Sequence, residues 1–124
     1  MKLGVQNPIT AGQLVAAYNA STVNDTDWHT LESSDFYDSQ TGQQLDSGLT
    51  FAYFAMITDG SSLSYIKPRA ADSASDPKTN AGGVIPVFGG FDIDSQALSD
   101  QVSAISFAKS AGGDVAVIYA GFNR

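Results

Sequence analysis

Residues 49–58 read LTFAYFAMIT, a stretch without a single charge that is apolar on both of its alternating faces. That pattern is expected of a strand buried from both sides in a central position of a sheet, with other structure packed against each face. Asp59-Gly60 follows directly, and Leu63, Tyr65 and Ile66 come next. The simplest reading is a hairpin through a tight turn, with a loop that turns away as the alternative. The chain has 124 residues, enough for one domain with a modest core, so 1–124 is read as a single unit.

Composition removes several classes of function. Thirteen acidic residues against six basic ones give a net charge of -7, which opposes an electrostatic grip on nucleic acid or anionic lipid. No apolar run has the length needed to cross a bilayer as a helix, so membrane insertion is not expected. There is no cysteine and only one histidine, so no metal site or cofactor is expected. The first twelve residues lack the basic-then-apolar pattern of a secretion signal. Only 15% of residues are charged, against roughly 25% in an average domain, and 15 Ser and 8 Thr carry much of the polarity instead. A hydroxyl-rich, lysine-poor surface favours an extracellular, cell-surface or virion setting.

Two helices are expected. Over Ile9–Ala20, Thr10 serves as cap, Gln13 completes a capping box, and Leu14, Val15 and Tyr18 form the apolar stripe. Over Ser95–Ala111, Leu98, Val102, Ile105 and Ala108 recur at helical spacing, and Gly112-Gly113 supplies the stop. Val84–Phe88 reads as a short strand whose Pro86 argues for an edge position, and Asp114–Tyr119 as a buried strand. Strand, helix and strand in that order imply a right-handed parallel crossover. The expected class is therefore α/β or α+β, a small domain with a central sheet and a C-terminal strand-helix-strand unit. Lys67–Gly83, with two prolines and little that is large, reads as a flexible excursion.

The segment Val84–Asn123 resembles part of the barrel of glycoside hydrolase family 18, the chitinases and chitinase-like lectins. The likeness is carried by Phe88-Gly89-Gly90 after a strand, by the amphipathic helix, and by Gly112-Gly113-Asp114-Val115-Ala116-Val117. It implies a partial barrel, because a complete one needs about 250 residues. Where the family has Ser-Phe-Gly-Gly, this chain reads Ile118-Tyr119-Ala120-Gly121. In a second register, Gly90-Phe91-Asp92-Ile93-Asp94-Ser95-Gln96 falls on the family's catalytic motif, with Gln96 in place of the acid. An amide cannot protonate a glycosidic oxygen, so the resemblance implies binding without hydrolysis.

Candidate ligand-binding residues follow from these patterns. Asp92 and Asp94 lie two apart and could together hold Ca²⁺ or a sugar hydroxyl, although a calcium loop would need Gly and Glu where Ala97 and Ser103 stand, and Asp94 could instead cap a helix or be solvated. Trp28, Tyr65 and Phe91 sit in turn-like sequence, where a flat ring could stack on the apolar face of a sugar. His29 lies between Asp27 and Glu32, but no serine occupies a nucleophile elbow, so no catalytic residue is assigned. The glycine pairs at 82–83, 89–90 and 112–113 lack phosphate-loop spacing. Asn19-Ala20-Ser21 and Asn24-Asp25-Thr26 match the glycosylation sequon in a chain where chance matches are expected. Two functions fit. One is a non-catalytic polysaccharide-binding or interaction module. The other is a self-assembling subunit of a surface layer, filament or virion. Both expect a polysaccharide or further copies of the chain as partner, with a homo-oligomer as the natural state.

Overall fold

The computed structural model describes residues 13–60, 62–78, 83–87 and 102–123. Among the described residues eight strands form: β1 (Gln13–Asn19), β2 (His29–Leu31), β3 (Tyr37–Asp38), β4 (Thr50–Thr58), β5 (Ser64–Lys67), β6 (Ile85–Val87), β7 (Ile105–Ala108) and β8 (Ala116–Asn123). They assemble into two four-stranded sheets, ordered β3-β1-β8-β4 and β2-β7-β5-β6. Every pairing between them is antiparallel.

The sheets share one core, so the molecule is a sandwich. From the first sheet come Ala16, Phe51, Phe54, Met56, Ile118, Ala120 and Phe122, and from the second Leu31, Ile66, Val87, Ile105 and Phe107. Aromatic packing closes one end, with the Phe51 and Phe122 rings 4.4 Å apart and Phe36 5.1 Å from Phe122. Along β8 the burial alternates as a strand requires. Ala116, Ile118, Ala120 and Phe122 point inward, and Val117, Tyr119 and Asn123 point out.

The long apolar run does form a strand, β4, but not one covered on both sides: it ends its sheet in the order β3-β1-β8-β4, and its outward Ile57 is exposed. It also carries one irregularity. Phe51 opposes Phe122 while Tyr53 opposes Gly121, so Ala52 is an extra residue in β4. This bulge lets Phe51 and Phe54 both reach the core although they lie an odd number of positions apart. The sequence is apolar on both faces because the outward positions Tyr53, Ala55 and Ile57 are apolar as well.

The α/β or α+β expectation is overturned, and with it the partial barrel. Residues 13–19 of the first expected helix are β1, fully paired with β8. Only a 3-10 turn follows, at Ala20–Thr22, capped by the Asn19 side chain, which accepts from the Ser21 amide at 3.0 Å. Of the second expected helix, 95–101 lies outside the described residues, and Ile105–Ala108 is an interior strand flanked by β2 and β5. All four of its residues are buried. With both faces covered, apolar spacing carries no period, and a helical stripe can be read into it. β6 and β8, the two strands expected to flank that helix, belong to different sheets, so there is no parallel crossover. β4 and β5 do not form a hairpin either, because the chain leaves the first sheet after Thr58 and enters the second. Pro86 does sit on an edge strand, β6, the setting in which a strand proline is tolerated.

Gly112, expected as a helix stop, is instead a close-approach position in the turn before β8. A Cβ there would press into the backbone of Asn24 and Asp25.

Candidate functional site

The residues singled out from sequence are not gathered into one site. Phe91, Asp92, Asp94 and Gln96 lie outside the described residues. Trp28 is 4% exposed and therefore no stacking platform. Its Nε1 donates to the Asp76 carbonyl at 3.0 Å, and the Lys67 ammonium sits 4.4 Å above its ring. Tyr65 is half-buried on β5, between Pro86 and Ala108 on the neighbouring strands. His29 pairs with Asp25, Nε2 to Oδ1 at 2.7 Å, and its ring stacks on Phe107. The Asp25 carboxyl is held below its ordinary range, first by that hydrogen bond and then by the Asp27 amide.

No nucleophile is assembled around His29. The buried Ser106 hydroxyl donates to the Arg69 carbonyl at 2.9 Å and accepts from the Ala71 amide at 3.0 Å, with Thr30 Oγ1 also 3.0 Å away. Its bonding capacity is spent on structure. Among the described residues, no three His, Cys, Asp or Glu side chains are placed to share a metal ion.

The two outer faces of the sandwich differ. Over the second sheet, residues 68–78 fold back across the Thr30, Ser106 and Lys67 row. Over the first sheet, the strand register sets out an uncharged surface. Tyr37, Ala17, Tyr119 and Ala55 form one row across all four strands, and Asn19, Val117 and Ile57 the next. Tyr37 is 53% exposed, Tyr119 40% and Ile57 39%, with Val115 at 55% just beyond the strand end. Ile57, Val115, Val117 and Tyr119 line a shallow apolar groove of about 340 Å³ with Thr58 and Asp59 at its margin. Asp59 is occupied there, its Oδ1 accepting from the Val115 amide at 2.8 Å.

A second depression of about 420 Å³, lined by Leu14, Asp38, Gln43, Gln44 and Asp46 among others, is richer in polar groups. Several of these are already committed to the turn that forms it. Asp38 Oδ1 accepts from the Gln40 amide at 2.7 Å, and Gln44 Nε2 donates to the Ser34 carbonyl at 2.6 Å. The apolar face is therefore the stronger candidate.

No protein-family profile, curated protein or solved structure matches the chain.

Proposed function

We propose that the protein is a non-enzymatic building block that associates with further copies of itself through the outer face of the β3-β1-β8-β4 sheet. The observation that carries this reading is the row Tyr37, Ala17, Tyr119, Ala55 beside the Ile57, Val115, Val117 groove. Exposed rings and an apolar groove on one patch are the knob and hole that a two-fold interface needs on a single surface. None of the described strand residues on that face is charged, in a chain of net charge -7. Copies that repel elsewhere can meet there without bringing like charges together.

Size sets the strength of the contact. Four strands about 4.8 Å apart, over five residues of about 3.4 Å each, cover roughly 300–400 Å². That is about half of the roughly 800 Å² each partner contributes to a standard stable interface. The face suits weak contacts repeated through an assembly better than one tight pair. Light scattering over a concentration series tests this. Mass rising with concentration is expected, and a monomer at every concentration refutes it.

Binding to polysaccharide is the second reading, favoured by one observation. Tyr37 and Tyr119 share a row two strands apart, with flat rings available to stack on sugars. The face offers few hydroxyl-bonding partners beside those rings, Asn19 being the amide in the adjoining row. Retention on insoluble polysaccharide by a protein that stays monomeric would favour this reading over self-association.

A further inference from the structure

Trp28 is buried, yet it takes no part in the core between the sheets. Residues 68–78 cover it. The Trp28 amide donates to the Ala74 carbonyl at 2.9 Å, and its indole donates to the Asp76 carbonyl at 3.0 Å. None of residues 68–78 is itself buried, so this segment brings no apolar anchor of its own. Its hold on the sheet is polar, and it has two points of attachment. Near the start, the Ser106 hydroxyl grips the Arg69 carbonyl and the Ala71 amide. Further along, everything converges on one carboxylate. Asp76 Oδ2 accepts from the Asp72 amide at 2.6 Å and from Lys67 Nζ at 3.4 Å, while Oδ1 accepts from the Ser73 hydroxyl at 2.8 Å.

Lys67 gives that carboxylate its importance. Its side chain is 1% exposed, and its ammonium has Asp76 as counter-ion and the Trp28 ring as a second electrostatic partner. A buried cation that loses its counter-ion carries its full desolvation cost, which solvent can relieve only if the cover lifts.

We propose that residues 68–78 are a strap latched over the second sheet by Asp76. On this proposal, neutralising that carboxylate lifts residues 72–78 while the sandwich stays folded, uncovering Lys67 and Trp28. The Ser106 attachment remains and acts as the hinge. Segments held by few polar contacts and no buried apolar surface are the ones that open locally at low cost.

Acid is the natural trigger. The Ser73 hydroxyl, followed by the Asp72 and Ser73 amides and by Lys67, holds the Asp76 carboxyl below its ordinary range against some desolvation. A carboxyl lowered in the folded state contributes stability above its unfolded value, about 3.9, and that contribution is lost as pH falls through the folded value. The latch therefore holds at neutral pH and releases below about pH 4. The strap's other charged groups are Arg69, Asp72 and Lys78, and Asp27 and His29 flank Trp28 in the chain. His29 is already engaged by Asp25.

Trp28 is the sole tryptophan, so its fluorescence reports the latch directly. In Asp76→Asn at pH 7, the emission should shift to the red and acrylamide quenching should rise, with the far-UV circular dichroism of the native protein retained. The native protein should reach the same state on acidification before its sheet signal is lost. Native-like emission and quenching in Asp76→Asn overturns the proposal, as does a shift seen only together with loss of the sheets. Should Asp76→Asn fail to fold, Ser73→Ala decides. Removing the hydrogen bond that lowers Asp76 most should move the acid release to higher pH, and an unchanged midpoint overturns the latch.

Discussion

The Tyr53 ring lies against Gly121 on the neighbouring strand, so closely that a Cβ at Gly121 would come within 2.8 Å of the ring's Cδ2 and closer still to Cε2. Glycine here is a matter of space, because its backbone is ordinary strand. Gly121→Ala should push the ring off the sheet and cost about 1–3 kcal/mol, the usual range for overpacking. In a Tyr53→Ala background the same substitution should cost little. A double-mutant cycle by urea denaturation measures the difference, and equal costs in both backgrounds would rule out the contact as the cause.

Lys109 is buried with its ammonium donating to three backbone carbonyls, Ala20 at 3.2 Å, Val23 at 2.8 Å and Gly112 at 3.1 Å. It ties the turn before β8 to the 3-10 turn after β1. Lys109→Met keeps the aliphatic stem and leaves the carbonyls unsatisfied, at a cost of roughly 1–3 kcal/mol. Arginine should not restore the loss, since a planar fork cannot reproduce three converging bonds from one nitrogen. Thermal unfolding of the two variants checks both statements.

Tyr119→Asp places a charge in the middle of the uncharged face without disturbing the core. Self-association should weaken sharply, while stability changes by about 1 kcal/mol or less, as for a solvent-facing strand position. Sedimentation at matched concentrations reads the first effect and denaturation the second. Unchanged association would move the interface elsewhere.

The Asp25 carboxyl owes its lowered pKa chiefly to His29. Its contribution to stability is present above the ordinary aspartate value, about 3.9, and fades as pH falls through the lowered one. Replacing His29 with Ala should raise the Asp25 titration toward that ordinary value. Carbon-detected NMR of the Asp25 side chain follows it, and an unmoved midpoint would assign the shift to the Asp27 amide instead.

The parts of the fold legible in the sequence were those with an unambiguous period or none of the competing one. β4 announced itself by length and lack of charge, and β8 by its β-branched run. β1 was hidden because Leu14, Val15 and Tyr18 mimic a helical stripe while Ala16 and Ala17, both small, mute the alternation. β7 was hidden because a strand buried on both faces gives no period at all. The exposed face was harder still. Tyr37 and Tyr119 are ordinary aromatics in the sequence, and a slip of one residue in register would have turned them inward. The alternation of Ala116, Ile118, Ala120 and Phe122 with Val117 and Tyr119 was the available signal for Tyr119. Nothing comparable marks Lys67 and Asp76, which a loop brings together.

β1 and β4 are not paired with one another; each is hydrogen-bonded to β8, which lies between them and is the last of the described strands. During synthesis the first sheet therefore has no middle until its final strand leaves the ribosome. β1 can pair with β3, which follows it closely in the chain, but β4 has no partner in this sheet until β8 joins the two. Completing this sheet depends on that long-range closure, which slows folding. The waiting interval is when the nascent chain is most in need of protection from aggregation.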